Sequence, residues 1–121
     1  MRKFAIIILA ALALTACKKD DNREALIIGE WKHTATYFYS EDGQRYKDAL
    51  FPKDLTLRAD FSAEYEGVKQ SWKWVTPYSK IEVFYTDKSN VYHFIFFSIV
   101  ELDQQHLLLG QNKKEYEFTR K

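Results

Sequence analysis

The chain has 121 residues, with 18 basic and 17 acidic side chains, 46% hydrophobic and 17% aromatic content, and one cysteine. Near-neutral charge whose sign alternates along the chain argues against nucleic acid as a partner, because a duplex-binding protein needs a basic face to displace counterions. One cysteine leaves no intramolecular disulfide, and the length suits one domain and not two.

Arg2 and Lys3 precede an apolar run over residues 4–14 that is too short to span a bilayer, which reads as a secretory signal peptide occupying residues 1–16. Leu14-Thr15-Ala16-Cys17 follows. This resembles the lipobox of bacterial lipoproteins, and the resemblance implies cleavage before Cys17 and acylation of that cysteine, palmitate included. An ordinary secreted protein is the alternative, but it would carry an unexplained odd thiol. Without Arg2 and Lys3 the charges balance to within one, and stability must come from core burial alone.

Residues 17–25 are polar and aperiodic, so they read as the lipidated cysteine and a flexible tether. Lys18-Lys19-Asp20-Asp21-Asn22 is similar to the export signal that sends Bacteroidota-type lipoproteins to the cell surface. The expected location is therefore the outer membrane, in the periplasmic leaflet or at the surface, with the lipid on Cys17 as the membrane contact.

The folded domain is expected over residues 26–121. From Trp31 to Tyr39 one residue in two can point inward (Trp31, His33, Ala35, Tyr37, Tyr39), the period of a half-buried strand. Asp42-Gly43 marks a turn. Residues 46–51 have room for a short helical piece before Pro52 stops it. The loop 40–53 is either a lid or a cover that tucks Leu50 and Phe51 against the domain edge. Short alternating runs then recur at 55–58, 61–66, 70–75 and 80–86, separated by turn residues. Residues 91–100 are apolar on both parities and should form a strand covered on both sides. Runs at 107–110 and 116–120 complete about eight strands.

An open sheet of so many short strands would leave two pairing edges, and closure removes them. The expected fold class is all-β, a small antiparallel up-and-down β-barrel of about eight strands, with a two-layer sandwich as runner-up.

Gly29-Glu30-Trp31-Lys32 at the start, residues 54–60 in the middle, Ile99-Val100-Glu101-Leu102 later and Tyr116-Glu117-Phe118-Thr119-Arg120 at the end resemble the lipocalin-like domains of Bacteroidota lipoproteins. The resemblance implies that Trp31 closes the barrel base and that Arg120 packs across it, with Gly29 completing the motif. The turn Ala59-Asp60-Phe61-Ser62 departs from the pattern by lacking a glycine after the aspartate.

No nucleophile elbow, phosphate loop or metalloprotease motif is present, so no catalytic residue and no cofactor is expected. His33, His93 and His106 lie on three separate strands with nothing in their spacing to require a metal. His33, Tyr37, Tyr65, Trp72, Trp74 and Tyr85 offer either a cavity for a small hydrophobic ligand or a packed core. The expected function is ligand binding inside a monomeric barrel. The alternative is an envelope or cell-surface interaction module with a filled barrel.

Overall fold

The computed structural model describes residues 19–121, with side chains from Arg23 onward. The signal peptide and the lipidation of Cys17 lie outside the described residues.

Among the described residues one helix, α1 (Lys19–Leu26), precedes nine strands: β1 (Gly29–Tyr39), β2 (Arg45–Lys47), β3 (Leu55–Leu57), β4 (Ser62–Tyr65), β5 (Val68–Thr76), β6 (Lys80–Thr86), β7 (Tyr92–Leu102), β8 (His106–Gln111) and β9 (Lys114–Arg120). Every pairing is antiparallel, and β1 to β9 closes the sheet, giving an eight-stranded barrel with β2 as an extra strand on the upper half of β1. Neighbours in the barrel are neighbours in sequence apart from the β2 excursion. That is the up-and-down order expected from the short connections.

The inward positions carry the apolar residues. Trp31, Leu55, Leu57, Trp72, Ile81, Val83, Phe97, Leu107, Leu109 and Phe118 are all essentially inaccessible, and they form one contiguous core. Burial of this kind is worth about 1.5–3 kcal/mol per large side chain, which is how the fold persists without a staple.

Three expectations need correction. Residues 19–26 form α1, where a flexible tether was read. Its polar composition gives little intrinsic reason to order, and tertiary contacts supply one: Arg23 Nη1 donates to the Tyr78 carbonyl at 2.8 Å, and Ile27 just beyond the helix is fully buried. No helical turn forms within residues 46–51. Part of that stretch pairs with β1 as β2 instead, and Leu50 and Phe51 stay exposed, neither tucked nor covering the edge. Finally, β7 is covered on one face only, as described below.

A β-bulge in β1 changes the parity of its upper half. His33 stands opposite Phe118 and Ala35 opposite Glu117, so Thr34 is the extra residue. Its hydroxyl donates to the Glu117 carboxylate at 3.1 Å. Below the bulge Trp31 and His33 face inward. Above it Thr36 faces inward beside Tyr116, and Tyr37 and Tyr39 are turned to the outer wall beside Glu115.

At the base, Trp31 and Arg120 pack together. The Arg120 guanidinium lies 4.2 Å from the centre of the Trp31 ring and donates to the carbonyls of Leu26 (2.5 Å), Ile28 (2.8 Å) and Gln104 (2.6 Å). The Trp31 indole donates to the Ile27 carbonyl at 2.9 Å. Gly29 is required by this arrangement, because a Cβ there would collide with Arg120 Nη1. At the turn that lacks a glycine, Phe61 itself takes the left-handed conformation, with φ of 67°. Asp60 supports it by accepting from the Ser62 amide at 3.0 Å.

Candidate functional site

Of the six side chains read as a cavity lining, Tyr65, Trp72 and Trp74 meet in the core cluster and the others do not join them. Trp72 is buried, edge-to-face with Trp74 at 5.7 Å, and its indole donates to the Arg58 carbonyl at 2.9 Å. Tyr65 is buried edge-on against Phe97 at 5.7 Å, and burial pushes its hydroxyl pKa far up. Trp74 is half-buried towards the base, against Tyr78. Tyr85 stacks on His93 at 4.7 Å next to the turn at 87–90. Tyr37 points outward, with the Arg45 guanidinium 3.7 Å from its ring centre. Strand parity counted through Thr34 puts Tyr37 inside, and the bulge reverses that.

His33 ties down the end of the loop 40–53. The Lys53 amide donates to Nδ1 at 3.1 Å, so this nitrogen is unprotonated, and Nε2 faces the Ala35 carbonyl (2.9 Å) and the Thr36 hydroxyl (2.8 Å). The His33 amide donates to Asp54 Oδ1 at 3.0 Å, which ties the same junction from the other side. Burial lowers the His33 pKa below its ordinary value of 6.5, reinforced by Lys53 and opposed by the Ala35 and Phe51 carbonyls and by Asp54. A histidine kept neutral in the fold contributes stability that is complete above the unfolded-state value and is lost as pH falls. Stability should therefore decline from pH 6.5 downward, and the gap between the wild type and His33→Gln should narrow over the same interval. Urea titrations at a series of pH values check this; a gap that stays constant through that interval would contradict the assignment.

His93 and His106 pair with Asp87 (2.8 Å) and Asp103 (3.5 Å) in two different turns. Among the described residues no group of three or more His, Cys, Asp or Glu side chains converges in the way a metal requires.

Among the described residues one hollow is a groove of about 560 Å³ on the outer wall. It arises because β7 pairs with β8 only from Ser98 onward, so the upper half of β7 continues alongside β6 while β8 turns back into β9. The gap between them is lined by Phe94, Phe96, Ser98 and Val100 of β7, Lys80 of β6, Gly110 of β8, the hairpin tip Gln111-Asn112 and Lys114, and Tyr39 with Glu115. Gly110 makes room for Val100. A Cβ there would come within 3.1 Å of the Val100 side chain.

The apolar wall of this groove is ordered. Tyr92 donates its hydroxyl to Glu82 Oε2 at 2.5 Å, and Lys73 Nζ lies 3.3 Å from the other oxygen of that carboxylate. Phe94 stacks on Tyr92 at 5.5 Å, Phe96 meets Phe94 edge-on at 5.3 Å, and Lys80 Nζ lies 5.1 Å from the Phe96 ring centre. Yet Tyr92, Phe94 and Phe96 are 47%, 56% and 38% exposed. Contiguous exposed rings of this kind mark interaction surfaces. Sequence reading missed them as a site because apolar residues on both parities of a strand imply cover on both faces. The missing cover was the signal.

No protein-family model matches the chain. No match is found among curated proteins. Among solved structures the chain is similar to a lipocalin-like protein from Bacteroides uniformis ATCC 8492, at 15% identity and a TM-score of 0.47, over 78% of this chain and 98% of that one.

Proposed function

We propose that the protein is an outer-membrane lipoprotein, anchored by lipid on Cys17, whose lipocalin-like barrel is a filled scaffold and whose ligand or partner binds on the outer wall. The observation that carries this reading is the placement of the aromatic residues. Those expected to line an interior cavity are divided between a packed core and the barrel's ends and exterior, whereas Tyr92, Phe94 and Phe96 present ordered rings to solvent. A hydrophobic molecule inside the barrel would have to displace side chains of the contiguous buried core, at a cost a small ligand does not readily offset. The reading assigns the protein no catalytic step and a monomeric state.

The anchor is tested by mass spectrometry of the N-terminal peptide from cells. A mass consistent with an acylated cysteine is expected, with Cys17→Ser moving the protein from the membrane fraction to the soluble one. An unmodified thiol at residue 17, or an uncleaved leader, would refute it. The outer-wall reading is tested by ligand mapping, described next.

A further inference from the structure

We infer that the groove between β7 and the β8–β9 hairpin is an oligosaccharide-binding site, suited best to a sugar chain bearing carboxylates. The inference rests on the outer-wall reading above and names the ligand class for that surface. A pyranose ring has one face of C–H bonds and an equator of hydroxyls, so its site needs aromatic faces together with planar or charged polar groups. A lipid would need only the former. The groove has both: Phe94 and Phe96 line it together with Tyr39, Asn112 and Lys114.

Three features make this wall a built one. The rings are held in place, since Tyr92 is tied to a carboxylate that is itself only 5% exposed and Phe94 rests on Tyr92. Rings ordered before binding lose little entropy when a ligand lands on them. The floor is packed, since the Val100 side chain lies 3.1 Å from where a Cβ on Gly110 would stand. The size, about 560 Å³, is that of a site for a few sugar units and falls in the ordinary range for ligand pockets.

The charge of the lining selects within the class. Glu115 already accepts from the Tyr39 hydroxyl at 2.8 Å and faces Arg45 at 3.4 Å, so its charge is met. Lys114 has Asp48 at 3.7 Å, and Lys80 lies over the Phe96 ring. The unbalanced charge of the lining is therefore positive, which favours uronic-acid units over neutral ones.

The described residues include a closed barrel with its own core, so the test uses the chain from residue 17 with Cys17→Ser, labelled with ¹⁵N. Tetragalacturonate, cellotetraose and palmitate serve as probes. Tetragalacturonate should shift the amides of residues 94–98 and 110–115, more strongly than cellotetraose, and Phe94→Ala should weaken binding about tenfold, the ratio that one lost stacking contact represents. Phe94 and Phe96 are exposed, so either alanine variant should keep the rest of the spectrum unchanged, and Phe96→Ala provides the second variant. Absence of shifts with both sugars, or shifts indifferent to both variants, would overturn the saccharide assignment. Palmitate shifting these same amides while the sugars do not would overturn the saccharide assignment and leave the outer-wall reading standing. Palmitate shifting buried Phe97 and Leu109 instead would overturn the outer-wall reading itself.

Discussion

Trp72→Ala is expected to destabilise the protein by about 3–5 kcal/mol, read as a lower urea midpoint at an unchanged slope. The indole is 1% exposed, touches Phe61 and Trp74, and satisfies the Arg58 carbonyl through its N–H. Removing it leaves a cavity and costs the Arg58 carbonyl one of its two donors, the Phe61 amide at 3.0 Å remaining. The experiment also decides between a full and a hollow barrel. A ring lining a ligand cavity would have one face without protein contacts, and its removal would cost about 1 kcal/mol or less while abolishing ligand uptake. Tyr85→Ala is the internal comparison, because that ring is half-buried and packed on His93 alone among the aromatic contacts described. It should cost markedly less than Trp72→Ala.

Gly29→Ala is expected to destabilise by about 2–4 kcal/mol, the sum of overpacking and an unfavourable backbone conformation at φ of 150°. The methyl group would strike the Arg120 guanidinium, which donates to three carbonyls and covers Trp31. Arg120→Ala should cost about 3 kcal/mol, since charged hydrogen bonds and the ring contact are lost together. The two substitutions should not add. With Arg120 gone the clash disappears, and Gly29→Ala should then cost only its backbone strain, about 1–2 kcal/mol. Thermal or urea unfolding of the four proteins measures the coupling, and strict additivity would show that the two residues act independently. Arg120→Lys should rescue little, because one ammonium cannot reach carbonyls from residues 26, 28 and 104 at once.

The strands and their closure were legible because alternation is a direct image of one buried face, and the base was legible because Gly29, Trp31 and Arg120 form a motif. The upper half of β1 was not. Parity counting assumes an uninterrupted strand, and the bulge at Thr34 shifts the count without any change of composition, so Tyr37 was assigned to the wrong face. The helix α1 was hidden for a different reason. Its residues carry no apolar stripe, and its order comes from Arg23 reaching Tyr78 and from Arg120 capping the carbonyl of Leu26, partners 55 and 94 positions distant. The groove was half visible. Residues 91–100 announced two apolar faces, but which of them the protein itself would cover depended on where β8 stopped pairing with β7.

That helix also sets how the molecule stands. With lipid on Cys17 as proposed, one residue, Lys18, separates the anchor from Lys19 at the start of α1, on the order of 7 Å of reach against roughly 30 Å for a nine-residue extended leash. Such an anchor would hold the barrel's Trp31 end near the bilayer surface. Tyr39, at the groove, is eight positions further along β1, on the order of 25 Å of strand. The anchor would fix orientation as well as address: the floor of the barrel rests on the headgroups and the aromatic groove opens sideways above them, so whatever it binds must come within about one barrel height of the membrane.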